Sequence, residues 1–568
     1  MVYKGASFVQ SRAFDGADGA RGARGATTPS VLAHLESQMT WEDEALKLDI
    51  INMSPRPGLD AVPAAPEGNV SWITCALALN LLLLLGFCLV KRIKFLYKLR
   101  HIPSPKALPV FGNAIQLNCS NEAFFGKLLR WNRELGDIYL LWVGSRPFVF
   151  LTKVEDVQPL LSSSQHIDKS LEYQYLRPWL GNGLIISAGE KWHARRKLLT
   201  PIFHSELLKN YFQVSWKKAN ILVSCLRTEI GNPEFDIIPY AKRAALDVIC
   251  ESAMGYHINA QTNYRNDYVL AVQSLTAIAQ MRFVNIWISY DSIFKRTALG
   301  KQQESALKIV HDFVDKVIAV RKLELTAERN ANLNEISRKS NTLLDLLLEM
   351  SYNGERLSDD DIREEVNTFM FAGHDTVGMT ISWILYALGR NPHYQDKILE
   401  ECDEVLGQNK VTYESLQKLV WLDACIKETW RLYPITPLLA RQIYNSITLR
   451  GNEIPNGTTV LVNSYLLHRD VRYFPEPNVY RPERFLPDAP KRPSFTFIPF
   501  SAGSRNCIGS KFATMEVKMM LLSLLRAYRF CAIDHENQLR FVPKLVLDNV
   551  GGIRLSITPR QVSKVGLM

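Results

Sequence analysis

The chain has 568 residues, 47% of them hydrophobic, which is ample for a large core; its length suits one large domain behind an anchor as well as several domains. Its formal net charge of +10 fits an acidic partner or an anionic membrane surface, while no recognition motif or aromatic-interleaved basic array supports nucleic acid. Its cysteines are scattered without paired spacing or a CxxC, which excludes a disulfide framework and a zinc site and places the bulk of the chain in a reducing compartment.

Residues 1–69 are rich in Gly, Ala, Ser and Pro, with RGARGA at 21–26, and carry no sustained apolar period. They read as a disordered extension, with Met53 as an alternative start. Residues 70–90, VSWITCALALNLLLLLGFCLV, are free of charge and long enough for one bilayer crossing at about 1.5 Å per residue. Lys91, Arg92, Lys94, Lys98 and Arg100 follow at once, whereas upstream only Arg56 stands against Asp60 and Glu67. That bias predicts a lumenal amino end and a cytosolic remainder. Residues 91–112 read as a basic, proline-rich linker, because Pro103, Pro105 and Pro109 cannot continue a helix.

The main domain is expected over 113–568. Residues 138–144 and 148–152 read as short strands, after which helical patterns dominate. Trp192 and Arg196 stand four apart, so on a helix they share a face and offer an indole N–H and a guanidinium to one anion. The apolar run 283–288 reads as helix core, with a substrate entrance or lipid contact as the alternative, and polar residues 325–341 read as a surface loop. Next comes Ala372-Gly373-His374-Asp375-Thr376, in which Gly373 lets a ligand approach the backbone. The Thr376 hydroxyl bonds either a carbonyl one turn back or a bound water. Glu428 and Arg431 stand three apart on one helix face, a spacing that most often marks a surface salt bridge.

The most informative stretch is Phe500-Ser-Ala-Gly503-Ser-Arg505-Asn-Cys507-Ile-Gly509, followed by a helical pattern. A lone cysteine is usually a buried small hydrophobe. Here it stands between glycines that permit a tight loop, beside an arginine, behind a shielding Phe500 and just ahead of a helix start that favours a thiolate. Those features suit a sulfur that reaches a metal.

The pattern Phe-x-x-Gly-x-Arg-x-Cys-x-Gly resembles the haem-binding signature of the cytochromes P450 at every defining position. Residues 168–207 and Cys250-Glu-Ser-Ala-Met-Gly255 are similar to family 4 of that group, of the insect and vertebrate 4C/4V-like kind. The resemblance implies a mainly α-helical P450 fold with a small β-region behind a transmembrane helix. It implies Cys507 as the iron ligand, with Phe500 and Gly509 about it. Trp192, Arg196, Arg441 and Arg505 would meet the haem propionates, and Glu428, Arg431 and Arg484 would form a buried structural network. Thr376 would hold a water and Asp375 would relay protons. Family 4 commonly carries Glu, able to form an ester with the haem, where this chain has Ala372, so a non-covalent haem b is expected.

The expected reaction is insertion of one oxygen atom from O2 into a C–H bond of an apolar substrate such as a fatty acid, at or near its terminal carbon. Electrons would come from NADPH through NADPH–cytochrome P450 reductase, with cytochrome b5 as a further donor. Lys191, Arg195 and Lys197 are the candidate reductase contacts. The expected location is the endoplasmic reticulum membrane, single-pass, with the catalytic domain cytosolic. A peroxide-rearranging isomerase and a non-catalytic haem-binding protein share the cysteine; Asp375 and Thr376 argue against the isomerase.

Overall fold

The computed structural model describes residues 72–203, 205–263, 267–331, 342–352, 357–407 and 411–560. The extension 1–69 lies outside them. Residues 1–80 and 81–568 are separate compact units, and of the first only the opening turns of helix α1 (Trp72–Leu99) are described. By length and composition, Thr74–Leu99 is sufficient to cross a membrane. Leu82, Leu83 and Leu89 on this helix are at least 60% exposed, which suits an apolar solvent rather than water. The basic residues from Lys91 to Lys98 continue α1 instead of opening the linker, since lysine and arginine are good helix formers and no proline intervenes before Pro103. The non-helical spacer starts at Arg100.

In the second unit, β1 (Ile138–Val143) and β2 (Arg146–Leu151) form an antiparallel hairpin. They join β3 (Leu438–Gln442) and β4 (Thr459–Asn463) in a four-stranded sheet of order β1-β2-β4-β3. Leu99 at the end of α1 is buried in the cluster on this sheet with Ile102, Leu140 and Val149. The remaining core is helical. Its axis is α6 (Asp359–Arg390), opened by a capping box between Ser358 and Asp361 and buried along most of its length. Before it run α2 (Gly189–Leu199), α3 (Ile238–Met254), α4 (Asp267–Val284) and α5 (Ala298–Ala331); after it run α7 (Val420–Leu432) and α8 (Ser510–Ala527).

Helix α3 lies so close to α6 that two glycines are needed at the crossing. A Cβ on Gly373 would stand 2.6 Å from Ile249 Cγ1, and one on Gly378 2.7 Å from Lys242 Cα. Two sequence expectations change. Residues 325–331 belong to α5, steadied by Arg321 with Glu324 (2.8 Å) and Glu328 (3.6 Å), and the rest of the expected loop lies outside the described residues. The apolar run 283–288 straddles the end of α4: Phe283 packs against Tyr175 at 5.7 Å, but Trp287 is 56% exposed.

Glu428 and Arg431, both wholly buried on α7, make a forked pair with two 2.8 Å bonds. Arg484 Nε lies 3.4 Å from Glu428 Oε1, and the Arg481 N–H donates to the same oxygen at 2.7 Å. Arg431 also donates to the carbonyls of His468 (3.2 Å), Pro477 (2.6 Å) and Val479 (3.2 Å). Burial, with Arg431 and Arg469 nearby, pushes His468 down to about 3, so its ring stays neutral and its Nε2 accepts from Ile498 N–H at 2.9 Å. One ion pair thereby ties α7 to the chain that leads into the 500–509 loop. Glu428→Ala or Arg431→Ala should cost about 3–5 kcal/mol, because each leaves a buried charge without its partner. Arg431→Lys should recover little, since an ammonium cannot reproduce the fork and the three carbonyl bonds. Denaturant unfolding of the three variants measures this.

Candidate active site

The 500–509 loop is wound tightly against its own backbone. Cys507 N–H donates to the Phe500 carbonyl at 2.9 Å, and Asn506 N–H to that of Gly503 at 3.1 Å. Gly503 adopts φ +71°, and a side chain there would collide with the Leu161 carbonyl. Phe500 packs edge-on against Trp430 at 4.9 Å. Gly509 has an ordinary φ of −89°, and a Cβ on it would touch only Phe203, at 3.6 Å. No protein atom therefore requires a glycine at 509.

Cys507 is accessible, yet the surrounding protein pushes its thiol up from the ordinary value. The Gly509 N–H, Arg196 and Lys169 act in the opposite direction. The sulfur is thus accessible but set among protein atoms. Cations from separate parts of the fold stand near it. Arg505 donates to the carbonyls of Ile167 (3.0 Å), Leu184 (3.1 Å) and Ser187, and its guanidinium lies 4.4 Å over the Trp192 ring. Arg441, on β3, is 2% exposed and donates to the Ala440 carbonyl. Lys169 lies 4.9 Å from the Tyr173 ring. Burial lowers all three, Arg505 to about 10, and the positive neighbours push Arg505 and Lys169 lower still. Among the described residues none of the three is in ion-pair contact with a carboxylate, although Asp168 is near enough to oppose the shift on both arginines. Arg196 reaches the loop itself, with 2.7 Å bonds to the carbonyl and side-chain oxygens of Asn506.

Sequence reasoning missed Lys169. A lysine beside an aspartate has no informative spacing, and only the fold sets it beside Arg441 and Arg505. Two expected reductase contacts turn inward instead. Lys191 is 2.7 Å from Glu364 and 3.2 Å from Asp361, and Arg195 is buried against Asp361; Lys197 is exposed.

On α6 the Thr376 hydroxyl donates to the Ala372 carbonyl at 2.6 Å. Gly373 faces Ile249 of α3, so it serves helix approach and not a ligand. Asp375 is buried and lies 2.6 Å from Lys242 of α3. Burial alone would raise it, but Lys242 wins and holds it below the usual carboxylate range.

These groups fit a haem. The cations have no ion-pair partner among the described residues, as two propionates would supply, and Cys507 offers a sulfur. Lys169, Trp192, Arg441 and Arg505 would hold the propionates, and Cys507 the iron.

Comparison with known proteins agrees. Residues 102–553 match the family described as Cytochrome P450. Cytochrome P450 4c3 of Drosophila melanogaster is 39% identical over 507 residues, covering 86% of this chain and 95% of its own. Cytochrome P450 4V2 of Mus musculus is 41% identical over 475 residues, covering 82% and 90%. Cytochrome P450 4d2 of Drosophila melanogaster is 37% identical over 498 residues, covering 85% and 99%. With a P450 fold behind an apolar helix and a cysteine loop suited to haem, the chain belongs to the cytochrome P450 family, in its family 4, and is a P450 monooxygenase.

Proposed function

We propose that this monooxygenase hydroxylates fatty acids or related lipids at or near the terminal carbon, with electrons from NADPH delivered by cytochrome P450 reductase and, in part, cytochrome b5. The observation that carries the reading is the Cys507 loop, beside a cation cluster in which none of Lys169, Arg441 and Arg505 is in ion-pair contact with a carboxylate among the described residues, in a chain whose α6 also bears Asp375 and Thr376. When bound, the haem supplies the iron at which O2 is activated. The protein would orient it through Lys169, Trp192, Arg441 and Arg505, and Cys507 would hold its iron as thiolate. Thr376, anchored on the Ala372 carbonyl, presents its hydroxyl oxygen to a water and fixes where a proton is given up. Asp375, ionised beside Lys242, must take a proton from solvent before passing one on. Lys197 serves the acidic face of the reductase.

Reconstitution with reductase, NADPH and a panel of fatty acids and terpenoids tests the substrate class; terpenoid turnover without fatty-acid turnover overturns it. On the best substrate, Thr376→Ala should keep the ferrous carbonyl spectrum and divert most reducing equivalents to peroxide, a roughly tenfold or greater loss of coupling. Unchanged coupling would remove Thr376 from the role.

We further propose a non-covalent haem, because Ala372 carries no carboxylate to esterify. Extraction with acid and organic solvent should release all haem from the wild type, whereas Ala372→Glu should retain a fraction after turnover.

The catalytic unit is also proposed to rest on the cytosolic face of the endoplasmic reticulum membrane. Val110 (84%), Trp287 (56%) and Tyr290 (61%) are exposed, and the Phe111 and Trp287 rings stand 6.0 Å apart, an apolar patch suited to lipid. A glycosylation tag placed after Pro105 should remain unmodified; a glycan there would reverse the orientation.

A further inference from the structure

Glu365 is a wholly buried carboxyl on α6, on the helix face that also carries Thr368, Ala372 and Thr376 by the spacing of the helix. Its Oε2 accepts a single hydrogen bond, from Leu184 N–H at 3.1 Å, and its Oε1 has no hydrogen-bond partner. The nearest cation, Arg195 Nε, stands 3.7 Å from Oε1, and the same guanidinium is drawn onto Asp361. Lys191 lies between Glu364 and Asp361.

The charges around Glu365 are therefore Lys191 and Arg195 on α2, with Asp361 and Glu364 on α6. Residues 180–187, which supply the Leu184 N–H, carry no titratable side chain. The two cations are matched by two anions, so an ionised Glu365 would leave one uncompensated negative charge in the interior. Burial accordingly pushes Glu365 up to about 7, against the Leu184 N–H and Arg195, which pull it down.

Leu184 is held from its other side by the cysteine loop, since its carbonyl accepts from Arg505 at 3.1 Å. Arg505 in turn stacks on Trp192 and belongs to the cation cluster. One residue's backbone thus joins the odd carboxyl to the haem cradle.

We propose that Glu365 is the proton-exchanging carboxyl of this haem pocket, a positioning residue that takes up one proton as one electron arrives and links that charge to Arg505 through Leu184. The electron comes from a reduced flavin of the redox partner and goes to the haem iron. The proton comes from solvent by way of the half-buried Lys191, Asp361 and Glu364, and one carboxylate oxygen gains an O–H bond while no other bond breaks. The proposal rests on the haem reading and goes beyond it in assigning a coupling role to a residue outside the iron and propionate contacts.

The sign follows from charge. Added electron density raises the affinity of Glu365 for a proton, so reduction is easier below its titration than above it. Equilibrium redox titration of the holoenzyme against mediator dyes, between about pH 6 and 8, reads this directly. At a fixed applied potential the wild-type ferrous-to-ferric ratio should fall roughly threefold or more as pH rises through neutrality. Glu365→Gln should flatten that dependence, and a glutamine variant with the wild-type slope overturns the proposal. Arg195→Gln keeps the carboxyl but removes a cation that lowers it, so the dependence should move to higher pH; a shift to lower pH counts against the proposal, and this arm decides should Glu365→Gln not fold. Infrared difference spectra of the ferric protein separate this proposal from the haem reading. A carboxylic C=O band should vanish on raising the pH through about 7 in the wild type and be missing from the Glu365→Gln titration; a haem-loaded protein without that band overturns this proposal and leaves the haem reading standing, whereas failure to incorporate haem at all overturns both.

Discussion

Lys169, Arg441 and Arg505 are brought into the interior by distant parts of the chain, and their mutual repulsion in a poorly solvated place is only partly offset by Asp168. This like-charge cluster is the constraint around which the rest of the second unit is arranged. The tight cysteine loop fixes Arg505, the four-stranded sheet fixes Arg441, and the segment before α2 fixes Lys169. A protein that spends stability on such an arrangement is preorganised for a dianionic ligand, and the sulfur of Cys507 would then meet the metal that ligand carries.

Helix α6 divides its duties by face. One face is stripped to glycine at 373 and 378 so that α3 can approach, and a buried ion pair between Lys242 and Asp375 closes the same contact. The face with Glu365, Ala372 and Thr376 is the one on which the proposed proton chemistry lies. This division places two carboxylates of one helix in opposite regimes: Asp375 is held ionised by a private cation, while Glu365 shares its cation with Asp361 and titrates near neutrality. The two acids of this helix therefore differ in how readily they bind a proton.

Much of the plan was legible in the chain itself. The apolar run at 70–90, the two strands near the amino side, and the cysteine loop are local patterns, set by composition and by spacings of a few residues, and the structure keeps them with small changes of boundary. The helix from Trp72 to Leu99 outruns the apolar segment because helix propensity, and not hydropathy, decides where a helix stops. The buried network of Glu428, Arg431 and Arg484 was legible only through family resemblance, since the same spacing on most helices makes a surface pair.

What the sequence alone determined is the set of groups: a cysteine in a loop that must turn on Gly503, an alcohol and an acid side by side, and Ala372 where relatives carry a carboxylate. Tertiary structure decided how those groups are used. Lys169 joined the cation cluster, Lys191 and Arg195 turned inward to acids on α6, Gly373 met Ile249 in place of a ligand, and Glu365 was left without a matching charge. Charge balance and steric fit in an interior depend on elements hundreds of residues apart, such as Leu184 beside both Glu365 and Arg505, and no local spacing encodes them.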